Sequence, residues 1–260
     1  MSELDLIEAV DDIQVDPDPP ACPPTQDELP YEDDVPMESE RHKLQMDLLL
    51  ETLQPWLEQR DNGYIGGNMF VYFALEQTRG LHVRGPDVLI VLDVPKGERK
   101  SWVVWEQGKA PDVVIELLSD STRETDKTMK KKIYLEQLRI PEYYWYDPFN
   151  PDDWAGFRMN GREYQPLNLD ESGRMVSQQM QLALLRWSGI YRGLKAVWLR
   201  WVTLQGELLL TGEERAEQER QRADQEQQRA EQAELLLLAA QQRIAELEAQ
   251  SRAAGNKEGG

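Results

Sequence analysis

The sequence predicts a mixed α/β (α+β) domain followed by a long charged helix. Helical and strand patterns alternate in the order helix, strands, helix, strands, which is typical of a mixed sheet flanked by helices. All eight tryptophans lie between residues 37 and 212, and this aromatic enrichment marks the part of the chain that can build a core. Residues 213–254 contain no Gly or Pro, as expected for one uninterrupted helix.

Composition divides the chain into four predicted segments. Residues 1–36 hold twelve acidic residues, seven prolines and no Lys or Arg, so we expect an acidic disordered tail. Residues 37–212 carry a net charge of −3 and form the predicted folded domain. Residues 213–254 form the predicted charged helix, and residues 255–260 a disordered end. Most of the net charge of −19 therefore belongs to the tail.

Hydrophobic periodicity predicts the elements of the domain in order. Leucines at three- and four-residue spacing predict a first helix over residues 40–57. β-branched and aromatic runs bounded by Gly and Pro predict strands over residues 69–75, 87–94, 101–106 and 112–118. Helical spacing returns over residues 126–138 and stops before Pro141. A strand over residues 143–146 and hairpin strands near 156–164, 182–187 and 197–203 complete the domain.

The last helix has an incomplete seven-residue pattern. One heptad position holds Ala or a larger apolar residue throughout: Ala216, Ala223, Ala230, Leu237 and Ile244. The position three residues later is acidic at first and apolar afterwards: Glu219, Glu226, Ala233, Ala240 and Leu247. The apolar seam is thus continuous only from about Ala230 onward. Two interpretations stay open: an isolated solvated helix, or a coiled coil that forms a homodimer through residues 230–250.

Residue content excludes several kinds of site and predicts a compartment. Cys22 is the single cysteine, which excludes disulfides and Cys-based zinc sites. The first thirty residues lack the basic start and apolar stretch of a signal peptide, and no apolar run reaches the length of about 20 residues that a membrane helix needs. We therefore expect a cytoplasmic protein without a membrane partner. His42 and His82 have no partner pattern, so no histidine-based mechanism is predicted.

Two carboxylates stand out by their surroundings. Asp87 follows Gly85-Pro86 at the start of an apolar strand, and Glu116 interrupts another apolar strand. A carboxylate buried in a strand is unfavourable unless it is paired or binds a cation. Mg²⁺ is commonly held by one or two carboxylates, water and a substrate phosphate. Asp87 and Glu116 on neighbouring strands therefore predict a magnesium site, with a plain turn residue as the alternative interpretation of Asp87.

Basic residues follow the Glu116 strand on the next predicted helix. Lys127, Lys130 and Lys131 can share one face of that helix, from which a lysine could reach both carboxylates and stabilise charge on a scissile phosphate. The other interpretation of this lysine run is a solvated helix face. Candidates for contacts with a nucleic-acid backbone are the basic residues Arg123, Lys127, Lys132 and Arg139.

These residues lie in strings that resemble the Uma-two family of restriction endonucleases, which is assigned to the PD-(D/E)XK nuclease superfamily. The strings are GPDV at 85–88, APDVVIELLS at 110–119, the segment 126–134 and PEYYWYDP at 141–148. The resemblance implies a restriction-endonuclease-like mixed sheet flanked by helices. It also implies a Mg²⁺-dependent endodeoxyribonuclease, with Mn²⁺ as an alternative ion. Asp87 and Glu116, with the backbone carbonyl of Leu117, would be the metal ligands.

The resemblance also implies where the positive charge of the site comes from. The place of the motif lysine, two residues after the second acidic residue, is taken by Leu118. In the family a lysine of the following helix replaces it, and Lys130 is the matching position, with Lys131 as the alternative. Ser119 and Asp126 match motif positions as a helix cap and a supporting residue.

A second function stays open at this point. Proteins that bind DNA usually present a basic surface, whereas the predicted domain is nearly neutral. The alternative is a catalytically inactive nuclease-fold module that binds nucleic acid or a protein partner through its C-terminal helix. Nucleic acid, DNA in particular, is the expected partner, and a two-fold homodimer would suit the cleavage of both strands.

Overall fold

A computed structural model describes residues 23–31, 39–74 and 83–255. Cys22, His82 and the remaining parts of the predicted tail and C-terminal end lie outside the described residues. The chain divides into two compact units, Met1–Leu209 and Leu210–Gly260. The fold class predicted from the sequence, a mixed α/β domain with a long C-terminal helix, is confirmed.

The first helix, α1, spans Glu40–Glu58, close to the predicted 40–57. Ser39 caps it by accepting a hydrogen bond from the backbone N–H of His42. The leucines at helical spacing are buried, as their periodicity predicts: Leu44, Leu48, Leu49 and Leu53.

Nine strands of the first unit form a six-stranded sheet and a small three-stranded sheet. The strands are β1 Tyr64–Gly67, β2 Val71–Tyr72, β3 Val83–Arg84, β4 Val88–Val91, β5 Trp102–Val103, β6 Val113–Leu117, β7 Glu142–Tyr146, β8 Trp154–Asn160 and β9 Glu163–Pro166. The large sheet has the order β1-β4-β6-β7-β8-β9, and the small one has the order β3-β2-β5. A further antiparallel sheet contains β10 Met175–Ser177, β11 Leu182–Tyr191 and β12 Leu194–Thr203.

Strands β6 and β7 are the one parallel pair of the large sheet. A parallel pair needs a crossover, which packs on one face of the sheet. Here the crossover is helical in three consecutive pieces: α3 Arg123–Thr125, a π-helical turn Asp126–Lys130 and α4 Lys131–Glu136. The predicted helix over residues 126–138 thus has a wider turn at its start, where the chain carries its lysines.

The sheet separates two apolar clusters. On one face, Val113 and Ile115 of β6 pack with Leu49 and Leu53 of α1. On the other face, Val114 packs with residues of α4 and β7, among them Tyr134. Successive strand residues point to opposite faces, so Glu116 shares the face of Val114 and points toward the crossover helix.

Several strands differ from the prediction, and the short strands β3 and β10 were not predicted. Within the predicted strand 101–106, only Trp102–Val103 is a strand, and Val104–Gln107 forms a short helix, α2, which ends at Gly108 in the left-handed conformation (φ 73°). Strand β1 was not predicted, because its Gly66-Gly67 pair lacks strand propensity. A Cβ on Gly67 would lie 2.5 Å from Leu50 Cδ1, so a larger residue here would make the Leu50 side chain of α1 move.

Residues 23–31 pack against the domain, although the sequence places them in the disordered tail. Leu29 is buried. Trp105 Nε1 donates to the carbonyl of Pro24 at 2.8 Å, and Tyr72 Oη donates to the carbonyl of Pro30 at 2.5 Å. These contacts satisfy two aromatic donors that are otherwise partly buried.

The second unit is dominated by helix α5, Gly212–Gly255. Thr211 and Glu214 form a capping box at its start, in which each side chain accepts a hydrogen bond from the other's backbone N–H. Six large apolar residues of α5 are exposed to 49% or more: Leu235, Leu236, Leu237, Leu238, Ile244 and Leu247. Across the described part of the chain, no helix is long and apolar enough to cross a membrane.

Candidate active site

The register of the central strands brings two carboxylates together. Strand β4 pairs with β6 so that Val88 lies opposite Ile115, and one step further Asp87 faces Glu116. Asp87 Oδ2 accepts a hydrogen bond from the backbone N–H of Leu117 at 2.7 Å. The N–H and C=O of a strand residue point to the same side, so the carbonyl of Leu117 also faces Asp87. The three groups predicted as metal ligands therefore share one end of the sheet.

Glu116 is held from both of its oxygens by the crossover helix. Tyr134 Oη donates to Oε1 at 2.6 Å, and Lys130 Nζ donates to Oε2 at 3.1 Å. Glu116 and Tyr134 are 1% and 0% exposed. A charged or hydrogen-bonding partner on each oxygen is what a buried carboxylate needs.

Lys130 also pairs with a third carboxylate. Its Nζ lies 2.7 Å from Asp126 Oδ1, and Asp126 is 1% exposed. Residues four apart are neighbours on a helix surface, so Asp126 and Lys130, the first and last residues of the π-helical turn, can pair. Both side chains interact electrostatically with Glu116.

Burial and mutual repulsion perturb the acidic groups of the site. Burial, opposed by Lys130 and reinforced by Asp126 and Asp87, raises the pKa of Glu116 to about 8. Burial likewise raises the pKa of Asp87. Burial lowers the pKa of Lys130, but the three carboxylates more than offset this, so its pKa is raised. Near neutral pH the site retains a lysine cation and binds a proton among its carboxyl groups.

This charge balance fits a divalent cation. Three carboxyl groups, from Asp87, Glu116 and Asp126, surround the Lys130 ammonium group, and the Arg84 guanidinium also interacts electrostatically with Glu116, so the fully ionised site has an excess of one negative charge. Among residues 23–31, 39–74 and 83–255, no three His, Cys, Asp or Glu side chains are grouped closely enough to hold a metal ion by themselves. The donor set therefore suits an ion such as Mg²⁺, which takes one or two carboxylates and retains water, and it does not suit a zinc cage of side chains.

The other predicted cations lie elsewhere. Lys131 Nζ lies 3.3 Å from the ring centroid of Phe157 and 5.5 Å from that of Trp145. Burial lowers the pKa of Lys131. Its described contacts are thus cation–π contacts, and the structure brings Lys130, and not Lys131, to the carboxylates.

The residues predicted to bind a nucleic-acid backbone are mostly engaged in ion pairs. Arg123 pairs with the buried carboxylate of Asp147, and Lys127 Nζ lies 2.6 Å from Asp153 Oδ2. Lys132 is different, since 71% of its side chain is exposed and its distance to Glu136 is 4.0 Å. Among these three, Lys132 has the side chain that can most freely reach a phosphate.

Sequence reasoning missed three features of the site. Tyr134 follows Lys130 by four residues, and that spacing could have indicated a shared partner. Arg84 interacts electrostatically with Glu116 and Tyr134, and burial lowers its pKa; no local pattern predicts this. His42 Nε2 lies 2.8 Å from the carbonyl of Leu118 and supports the end of β6, although no partner was predicted for it. Ser119, predicted as a cap, accepts a hydrogen bond from Thr122 N–H at 3.1 Å.

Comparison with known families decides the membership of this chain. The family model Uma2, described as "Putative restriction endonuclease", matches residues 32–188, which is more than half of the chain. The protein belongs to the Uma2 family. The matched region includes every residue of the site, and the resemblance drawn from the sequence strings is confirmed. The family match identifies the chain as a restriction-endonuclease-like member of a nuclease family.

Other comparisons add little to the Uma2 assignment. No curated protein matches the chain. One similar solved structure is a crystal structure of "a putative nuclease belonging to DUF820" from Anabaena variabilis ATCC 29413. It is 17% identical, and the alignment covers 61% of this chain and 91% of that chain with a TM-score of 0.43.

Proposed function

We propose that this Uma2 protein is a metal-dependent endonuclease that hydrolyses phosphodiester bonds in DNA. The observation that carries the proposal is the carboxylate pair of partly buried Asp87 and fully buried Glu116, which faces the ammonium group of Lys130 at the end of the central sheet. Mg²⁺ is the proposed ion, with Mn²⁺ as a substitute, held by the two carboxylates and the carbonyl of Leu117. Family membership supports the nuclease class, and the excess negative charge supports the cation.

The ion would lower the pKa of a water molecule and neutralise the phosphate. The chain's own residues prepare the site for it. The backbone N–H of Leu117 fixes one oxygen of Asp87. Tyr134 fixes Oε1 of Glu116, so the carboxylate cannot rotate freely. Such preorganised ligands lose little conformational entropy when they bind.

Lys130 is the proposed catalytic cation. Its ammonium group lies 3.1 Å from Glu116. A phosphate bound to an ion that Asp87 and Glu116 hold would therefore lie within reach of Lys130. The raised pKa keeps this group charged, which suits electrostatic stabilisation of developing negative charge and does not suit a general base. Lys132, exposed further along the helix, is the proposed contact to the DNA backbone.

A plasmid-cleavage assay tests the proposal. Supercoiled DNA is incubated with the full-length protein in Mg²⁺, in Mn²⁺ and in chelator, beside Glu116→Gln. The control is Glu163→Gln, an exposed glutamate on strand β9. We expect nicked or linear DNA only with a divalent ion, with activity lost in Glu116→Gln and retained in Glu163→Gln. Equal cleavage by wild type and Glu116→Gln would refute the site.

We also propose that α5 assembles two copies of the chain. Its exposed Leu237, Ile244 and Leu247 occupy the seam predicted from the heptads. In a parallel pair of such helices, Arg229 of one copy would lie beside Glu234 of the other, as opposite charges at flanking heptad positions do. A two-fold dimer would present two sites to the two strands of DNA.

Light scattering on the full-length protein tests the assembly. We expect a mass of about twice 30.1 kDa for wild type and a monomer for Leu237→Asp. Leu235→Asp is the matched control, because Leu235 lies outside the seam and is equally exposed. A monomeric wild type, or identical masses for the two variants, would contradict the proposed dimer.

A further inference from the structure

Asp126 is a buried carboxylate to which the proposed hydrolysis assigns no part. It is 1% exposed, and Oδ1 lies 2.7 Å from Lys130 Nζ. Oδ2 is also buried and has no hydrogen-bond partner among the residues that the structure describes. A buried carboxylate oxygen without a donor is costly, because its desolvation is not compensated. Such an orphaned acceptor indicates a missing donor in the site.

The backbone fixes the direction of Asp126. It is the first residue of the π-helical turn, and Tyr143 Oη donates to its backbone carbonyl at 2.8 Å. Tyr143 is itself fully buried. The main chain at Asp126 is therefore held in place, and its carboxylate is buried beside Lys130. π-turns are found mostly where a helix is adapted to a functional site.

Asp126 comes from a different element than the two proposed ligands. Asp87 and Glu116 lie at neighbouring strands, and Asp87 accepts a hydrogen bond from the N–H of Leu117, the residue after Glu116. Asp126 lies on the crossover helix and is paired with Lys130. A carboxylate in that position is suited to accept hydrogen bonds from water bound to a cation. Mg²⁺ retains several waters when proteins bind it, and these waters need acceptors.

We propose that Asp126 is an outer-sphere carboxylate of the divalent cation. Its Oδ2 would accept a hydrogen bond from a water molecule bound to the ion, while Oδ1 holds Lys130. This inference rests on the proposed metal site of Asp87 and Glu116. It assigns to Asp126 a positioning role in ion affinity, beyond the helix support predicted from the sequence.

Calorimetric titration with Mn²⁺, without DNA, tests the role directly. The variants are Asp126→Asn, which keeps the shape and removes the charge, and Asp153→Asn. Asp153 is the matched control, because it also pairs with a lysine of the crossover helix but lies outside the site. We expect Asp126→Asn to bind Mn²⁺ about 10–100-fold more weakly, the usual effect of removing an outer-shell partner, and Asp153→Asn to bind like wild type.

Thermal unfolding in chelator separates this role from a purely structural one. Removing one of three like charges from a buried cluster should leave the metal-free melting temperature of Asp126→Asn unchanged or raised. Wild-type Mn²⁺ affinity in Asp126→Asn would overturn the proposal, and so would a metal-free variant that is unfolded. If the wild type binds no Mn²⁺, the proposed metal site is wrong. If the wild type binds Mn²⁺ and Asp126→Asn binds it with the same affinity, only the role of Asp126 is wrong.

Discussion

Replacing Glu116 with Gln should stabilise the metal-free protein while it removes activity. Glu116 is 1% exposed, and burial raises its pKa from 4.5 to about 8. The folded protein therefore holds a proton on Glu116 at pH values at which the unfolded chain has released it. Gln is neutral at every pH and can still accept the hydrogen bond of Tyr134. It avoids the unfavourable burial of charge.

The magnitude follows from the two pKa values. Each unit of pKa difference corresponds to 1.36 kcal/mol between the two protonation states. Below about pH 4.5 Glu116 is protonated in the folded and the unfolded state, and it does not lower the free energy of unfolding. Between about pH 4.5 and pH 8 the free energy of unfolding of the wild type falls as pH rises. Above about pH 8 the contribution of Glu116 to this free energy no longer changes with pH. We expect Glu116→Gln to be more stable by about 1 kcal/mol at pH 5, about 3 at pH 7 and about 5 at pH 8.5.

Urea unfolding in chelator, followed by circular dichroism at these three pH values, measures the difference. Glu163→Gln, an exposed substitution, controls for changes in net charge. The slope of free energy against urea concentration should stay the same in all three proteins, because the surface exposed on unfolding is unchanged. A Glu116→Gln protein less stable than wild type at pH 8.5, or a difference that does not grow with pH, would refute the reasoning.

Three further predictions concern the same cluster. Lys130→Met should lower the plasmid-cleavage rate about 10²–10³-fold, because the transition state loses a stabilising charge. Lys131→Met should cleave like wild type, since Lys131 packs on Phe157. Equal losses in the two variants would contradict the assignment of Lys130 as the catalytic cation. Tyr134→Phe should lower the free energy of unfolding in urea by about 1–2 kcal/mol, because Glu116 Oε1 loses its hydrogen-bond donor. An unchanged urea midpoint would contradict the hydrogen bond between Tyr134 and Glu116. Titration calorimetry should find that Mn²⁺ affinity rises by up to about tenfold per pH unit from pH 6 and levels off above pH 8, because Glu116 must release its proton; a flat profile would contradict the raised pKa.

The sequence predicts the parts of the fold that local pattern controls. Helix α1 was predictable because its leucines recur at helical spacing and all face the core. Glu116 was conspicuous because a carboxylate inside an apolar run needs a partner. Helix α2 was not predictable: Val104 and Trp105 favour strands, but tertiary contacts, among them the bond from Trp105 to Pro24, override that propensity.

The choice between Lys130 and Lys131 shows where local pattern is insufficient. A regular α-helix lets several lysines share one face, so spacing alone leaves the choice open. In the structure Lys130, the last residue of the π-helical turn, pairs with Glu116, whereas Lys131 lies over the ring of Phe157. Arg84 and His42 approach the end of β6 from distant segments, and no periodicity in one sequence encodes such a contact.

Anomalous diffraction from crystals soaked in Mn²⁺ would test the central claim most directly, because it locates the ion without reliance on activity. We expect one strong peak within bonding distance of a carboxylate oxygen of Asp87, a carboxylate oxygen of Glu116 and the carbonyl of Leu117. A peak at other side chains, with the Asp87–Glu116 pair left without an ion at saturating Mn²⁺, would contradict it.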